Sequence, residues 1–244
     1  MKIVITGSSG FIGSHLKNKF ETQDHEVICW DRKEGKDIHD FEVDADTDFV
    51  IHLAADADVR RSIEHPGDYW HNNVTPTTRI QRLCYEKLIP LIYASSSCIH
   101  NWSLSPYGIT KKVNEETARD GQVGVRFTTV YGDRARDTMF IGKLMKGELP
   151  YATNHIRDFI HVDDVVSAIE TIMIDIKYGW PTHSTYDIGT GHGNIVSDLA
   201  KIRYPNIVIQ DGDACEAHDN TANTDRICAL GWKPSVDVVD YLSV

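Results

Sequence analysis

One short stretch near the start constrains this chain more than any other. Thr6-Gly7-Ser8-Ser9-Gly10-Phe11-Ile12-Gly13 spaces its glycines G-x-x-G-x-x-G. The apolar run Ile3-Val4-Ile5 precedes it, and Ile12, Leu16 and Phe20 follow on one helical face. Strand, glycine turn and helix in that order are what a dinucleotide site requires. The glycines permit a tight turn and let the backbone approach a pyrophosphate. The helix N-terminus then offers free N–H groups and the positive end of its dipole. Gly7, Gly10, Phe11, Ile12 and Gly13 are therefore expected at a cofactor. Asp31, just past the second strand, can accept bonds from ribose hydroxyls, and its charge repels the extra phosphate of NADP. Arg32 beside it could serve that phosphate instead.

The rest of the first half repeats the alternation. Strand-like runs at Val27–Trp30, Phe49–Leu53, Leu91–Ala94 and Gly124–Phe127 alternate with helical patterns. One helix is expected to open at Pro76 with Thr75 as its N-cap, and another to run from Pro106 to Ala118. Val162–Ile174 reads as a helix, and Tyr186–Gly189 as a returning strand. This predicts an α/β chain: a doubly wound parallel sheet of the Rossmann type with helices on both faces, its ligands beyond the carboxyl ends of the strands. Residues 1–131 are expected to form the dinucleotide-binding domain, with 157–191 packing back onto it. Residues 132–244 are left as a small, reduced C-terminal substrate lobe.

Composition excludes other classes. Lys plus Arg number 25 against 36 Asp plus Glu, a net charge of −11 that repels nucleic-acid phosphates, so no nucleic-acid partner is expected. The five cysteines include no C-x-x-C pair, and the twelve histidines show no metal-ligand spacing, so no metal is expected. No run approaches the roughly 20 apolar residues of a membrane helix, and the first apolar run is too short for a signal peptide. A cytoplasmic protein with no membrane partner is expected.

Tyr107-Gly108-Ile109-Thr110-Lys111 puts a phenol and an ammonium on one face of a helix. A nearby ammonium stabilises a phenolate, which makes tyrosine usable as an acid and base toward a hydroxyl whose carbon loses a hydride. A serine run at 95–97, at a strand's carboxyl end, can bond the same oxygen. Further segments fall in order: Asp37-Ile38, His52-Leu53-Ala54-Ala55, Val59-Arg60-Arg61-Ser62-Ile63, Asn73-Val74, Val130-Tyr131-Gly132, Arg157–Asp164 and Leu230-Gly231-Trp232. In these motifs the chain resembles the extended short-chain dehydrogenase/reductases, the family of NAD-dependent nucleotide-sugar epimerases and dehydratases, in shortened form.

The resemblance implies roles residue by residue. Tyr107 would be the acid/base, Lys111 its activator and a ligand of the nicotinamide ribose, and Ser96 the catalytic serine, with Ser95 and Ser97 as alternatives. Asp37 and Ile38 would meet the adenine, while Leu53, Ala54, Ala55 and Asn73 would belong to the NAD site. Ser97, Thr129 and Arg157 would face the substrate. Arg157 would hold a diphosphate, or else pair with Asp158 or with Asp163 and Asp164. Dehydratases of this family carry Asp-Glu after the catalytic residue, where this chain has Ser97-Cys98. The resemblance therefore implies a 4-epimerase acting on a nucleotide-sugar, UDP-linked by analogy, through hydride transfer from sugar C4 to NAD and a 4-keto sugar. An NAD(P)H-dependent keto-sugar reductase and a non-catalytic NAD-binding regulator are the alternatives. A homodimer is also implied. The chain departs from its relatives between Asp31 and Asp37, in the loop after Ser97, and in the acidic 211–217 segment, which offers no second arginine.

Overall fold

The computed structural model describes residues 1–177 and 179–243. The chain runs β1 (Lys2–Thr6), α1 (Phe11–Glu21), β2 (Glu26–Trp30), β3 (Phe49–His52), α2 (Val59–Glu64), α3 (Pro66–Tyr69), α4 (Thr75–Glu86), β4 (Leu91–Ser96), α5 (Pro106–Glu116) and β5 (Val123–Phe127). It continues with β6 (Thr129–Tyr131), α6 (Phe140–Lys146), β7 (Ala152–Thr153), β8 (Ile156–His161), α7 (Val162–Lys177), β9 (Thr185–Ile188), β10 (Gly193–Ile195), α8 (Val196–Arg203), β11 (Ile209–Gln210), α9 (Asp225–Ala229) and α10 (Val238–Ser243). Six parallel strands form the central sheet in the order β2-β1-β3-β4-β5-β9. The expected doubly wound α/β fold is present.

Strand alternation divides the core. Ile3, Ile5, Phe49, Ile51 and Ile92 face a cluster with α1 and α7. Val4, Val50, Leu91 and Tyr93 face the other way, onto Ile80 and Cys84 of α4 together with Ile38, Phe41 and Val43. A third cluster joins Tyr131, Leu144, Phe159, Leu199 and Leu242 in the smaller part of the chain. Ile227 and Trp232 of the tail belong to the first cluster, against the central sheet.

The chain leaves the central sheet at Thr128. β5 ends, β6 begins one residue later, and β6 pairs with β8 in a separate sheet of order β10-β8-β6. Thr128 N and Oγ1 both donate to the Ile188 carbonyl, at 3.1 and 3.2 Å, which pins this branch point to β9. A cleft opens between the two sheets as a result. Between β2 and β3 there are only two short 3-10 turns, Arg32–Glu34 and Ile38–Asp40, and β2 is the sheet edge. The short Asp31–Asp37 segment, where the chain departs from its relatives, therefore adds no α-helix or strand beyond β2.

One expectation is overturned. Thr75 does not cap a helix opening at Pro76. The helix runs on from α3 through a π turn at Trp70–Val74 into α4, and Val74 is itself helical. Pro76 has no N–H to continue an α ladder. The π turn accommodates it by passing the Thr75 N–H to the Trp70 carbonyl, five residues back.

Candidate active site

The carboxyl ends of β1, β3, β4 and β5 open into one cavity of about 930 Å³, which also reaches β8 and the tail. Its floor is the glycine turn. Gly7 has φ +69, and a Cβ there would lie 2.8 Å from Ala54 N. A Cβ on Gly13 would collide with the Gly7 carbonyl oxygen, so this turn closes only around glycine. Gly10 precedes α1 without any side-chain cap, leaving the first N–H groups of α1 for an anion in the cavity.

Behind the turn lies a hydrogen-bond chain. Thr6 Oγ1 is 2.6 Å from His52 Nδ1, and His52 Nε2 is 2.8 Å from Thr77 Oγ1. Leu53 N and Ala54 N both donate to Thr6 Oγ1 at 3.2 Å. β1, β3 and α4 are thereby locked together under the cavity. Asp31 lies at the edge of the turn, where its Oδ2 accepts from Ser9 N at 3.1 Å and its Oδ1 from Lys33 N at 2.9 Å. Arg32 turns the other way, with Nε 3.5 Å from Asp37 Oδ2. The carboxylate, not the guanidinium, is the charge on the loop, which fits NAD better than NADP.

α5 is positioned by its own first turn. Ser105 caps it through Gly108 N at 3.1 Å, and Pro106 occupies the first helical position. A Cβ on Gly108 would come within 2.7 Å of Trp102 O, so the short 97–104 segment closes directly onto this helix. Tyr107 and Lys111 then lie one turn apart, both buried, both on the cavity wall. Lys111 Nζ donates to Ala94 O at 2.8 Å and lies 5.7 Å from the Tyr107 ring centre. Burial lowers the Lys111 pKa to about 8, against smaller opposing effects of Cys98 and Glu115. Burial also pushes the Tyr107 phenol up, with Cys98 adding to this and the Ser96 hydroxyl pulling it down. Desolvation thus outweighs the phenolate stabilisation expected from helical spacing alone.

Among the serines, Ser95 Oγ donates to Glu115 Oε1 at 2.6 Å, and Glu115 is held in turn by Arg126 at 2.7 Å. Ser96 Oγ accepts from Cys98 N at 3.2 Å, and its hydroxyl lies beside the Tyr107 phenol that it pulls down. Ser96, Ser97, Tyr107, Lys111, Thr129 and Arg157 line the same cavity as Gly7, Gly10, Phe11, Ile12, Gly13, Leu53 and Ala55. Five expected cofactor residues besides Asp31 do not line it. Ala54 covers Gly7 through its backbone. Arg32 and Asp37 pair with each other, and Ile38 packs into the second core cluster. Asn73 braces the loop after β3, accepting from Asp56 N at 2.8 Å and donating to Asp56 O at 2.9 Å.

The substrate end holds surprises for the sequence reading. Arg157 pairs with neither Asp158 nor Asp163 and Asp164; its carboxylate partner is Glu216, at 2.9 Å. Asp158, fully buried, instead accepts from Thr190 N, Gly191 N and Ala222 N. Thr129 receives a bond from Asn220 Nδ2 at 3.2 Å, so the tail supplies an amide beside it. Arg134, Arg136 and Lys143 also line the cavity and were not singled out by any motif. Among the described residues no group of side chains suits a metal ion, and no helix is long and apolar enough to cross a membrane.

Comparisons with known proteins agree with this geometry. The model of the NAD dependent epimerase/dehydratase family matches residues 3–189. Protein CapI of Staphylococcus aureus is 32% identical over 231 residues, covering 71% of this chain and 69% of that protein. UDP-glucuronate 4-epimerase 4 of Arabidopsis thaliana is 26% identical over 319 residues, covering 97% of this chain and 72% of that protein. That alignment is longer than the 244 residues here, so the relative carries segments that this chain lacks. Among solved structures, MoeE5 in complex with UDP-glucuronic acid and NAD superposes with a TM-score of 0.84 at 25% identity, covering 100% of this chain and 97% of that one.

Proposed function

We propose, from the premise that this chain belongs to the NAD-dependent epimerase/dehydratase family, that it is a nucleotide-sugar 4-epimerase. It is an enzyme and its cofactor is NAD. The observation that carries the finer reading is the pair that follows Ser96: a hydroxyl at Ser97 and, at Cys98, a thiol that burial pushes up and keeps neutral. Dehydration needs an acid and a base beside the sugar, and neither side chain supplies a carboxylate there.

In this reading bound NAD would supply the hydride acceptor and donor at the sugar carbon. Tyr107, as its phenolate, takes the proton of the sugar hydroxyl, and Ser96, beside Tyr107, donates a hydrogen bond to the same oxygen. Lys111 places positive charge against the phenolate and would hold the nicotinamide ribose. The glycine turn and the N-terminus of α1 would hold the pyrophosphate of the cofactor, and Asp31 its adenosine ribose. Ser97, Thr129 and Arg157 stand on the substrate side. Residues 1–131, with 157–191, carry the cofactor, and 132–244 supply the substrate lobe, except that Ile227 and Trp232 pack with the central sheet. The substrate is UDP-linked, like the UDP-glucuronic acid and UDP-glucose held by MoeE5.

The test is release of cofactor from purified protein, followed by turnover of UDP-sugars. NAD near one equivalent, with Tyr107→Phe losing at least about 100-fold in rate while NAD stays bound, is the expected result. Full activity in Tyr107→Phe overturns the mechanism. Protein that binds NADPH better than NADH and releases NADP each turnover makes the enzyme a keto-sugar reductase.

A further inference from the structure

The Arg157 guanidinium is already engaged by the protein. Nη1 donates to the carbonyls of Ile156 and Ala217, both at 2.9 Å, and of His218 at 3.2 Å. Nη2 donates to His155 Nδ1 and to Glu216 Oε2, both at 2.9 Å. Of the five N–H groups of an arginine, only the one on Nε is left without a partner among the described residues. Glu216 does not stop at Arg157. Its Oε1 lies 3.0 Å from Nε of Arg60, which comes from α2 and also lines the cavity. Asp213 meets the same Nε at 2.7 Å but does not line the cavity. One carboxylate thus sits between two guanidiniums, at the place where an anionic substrate group would look for them.

We propose that Glu216 is a resident anion on the Arg60–Arg157 pair, and that it sets the specificity of the site by making a substrate phosphate displace it. The inference rests on the nucleotide-sugar reading and deepens it. A carboxylate and a phosphate cannot share two guanidiniums without like-charge repulsion, and in a partly buried cleft that repulsion is weakly screened. A ligand with a single negative charge gains little by exchange with Glu216. A diphosphate, with more charge and more acceptor oxygens, gains enough to take its place, so the exchange discriminates by anion valence. When Glu216 leaves, Arg60 loses a link to the 213–216 segment, and the cavity mouth is free to open there.

Calorimetric titration of NAD-loaded protein with UDP tests this. Glu216→Gln keeps the shape of the side chain, removes its charge, and is expected to bind UDP about tenfold tighter than the wild type. Asp213→Asn removes an exposed charge from the same arginine outside the cavity, and is expected to change affinity less than about threefold. UDP binding to Glu216→Gln that equals or falls below that of the wild type overturns the inference. So does an equal gain in both variants, which would report bulk charge alone. If Glu216→Gln does not fold, Glu216→Ala is read by the same criterion. UDP bound by none of these proteins, with NAD still in place, overturns the nucleotide-sugar function itself and this inference with it.

Discussion

Replacing His52 by glutamine should flatten the acid side of this protein's stability profile. His52 is 3% exposed and lies between two hydroxyls, Thr6 Oγ1 at 2.6 Å and Thr77 Oγ1 at 2.8 Å. Thr77 gives its own proton to the Asn73 carbonyl at 2.6 Å, so it can only accept from His52 Nε2. Nδ1 must then accept from Thr6, whose oxygen already receives Leu53 N and Ala54 N. One neutral tautomer satisfies every group, and a second ring proton would set N–H against O–H. Burial, reinforced by the charge of Lys111, lowers the His52 pKa to about 3 from the ordinary 6.5. Between those values the unfolded chain holds a proton that the folded chain does not, so stability falls as pH falls from 6.5 toward 3. At about 1.4 kcal/mol per unit, the loss between pH 7 and pH 5 comes to about 2 kcal/mol. Glutamine at 52 does not titrate. Urea unfolding at pH 7, 6 and 5, at a fixed NAD concentration, should show the wild type's advantage over His52→Gln shrinking by about 2 kcal/mol. An advantage that stays constant or widens toward pH 5 refutes the reasoning, because it would mean that His52 is charged in the folded protein.

Two further outcomes are expected. Gly13→Ala drives a Cβ into the Gly7 backbone carbonyl, which has no flexible side chain to move aside, and should cost about 1–3 kcal/mol of stability and strip NAD from the purified protein; wild-type NAD content would contradict the account of the turn. Exposed apolar side chains on α5 and the segments packed against it, Trp70, Trp102, Leu104 and Ile109, suit a homodimer built on that face. Sedimentation equilibrium at micromolar concentration should return a dimer mass, and a monomer would sink the idea.

The cofactor side of the fold was legible because its signals are local. Ile3, Val4 and Ile5 alternate between two cores, as period two demands, and Gly7 and Gly13 stand where the chain turns back on itself. Ser105-Pro106 marks the start of α5 in the sequence and marks it in the fold. Pro76 misled for the same kind of reason. Proline at the first turn of a helix is the common case, and nothing nearby announces a π turn that lets a longer helix pass through it. Asn73, carried on that turn, consequently serves Asp56 and does not line the cofactor cavity.

The substrate side was illegible because its contacts are distant in sequence. Arg157 meets Glu216 across 59 residues, and Thr129 meets Asn220 across 91. Period and spacing report neither pairing, and the 211–217 segment reads simply as an acidic tail. Tyr107 and Lys111 show a third kind of limit. Helical spacing puts them on one face, but it carries no information on desolvation. Within the protein, burial raises the phenol and lowers the ammonium, so it opposes both members of the ion pair that the chemistry uses. Proximity to Lys111 therefore does not by itself ionise Tyr107. A further favourable charge, or a substrate hydroxyl that shares the proton with Ser96, has to enter the cavity first. That dependence ties proton transfer to ligand occupancy, and it makes the Glu216-blocked arginines part of the same control: a ligand that cannot take their place does not bring its hydroxyl to Tyr107.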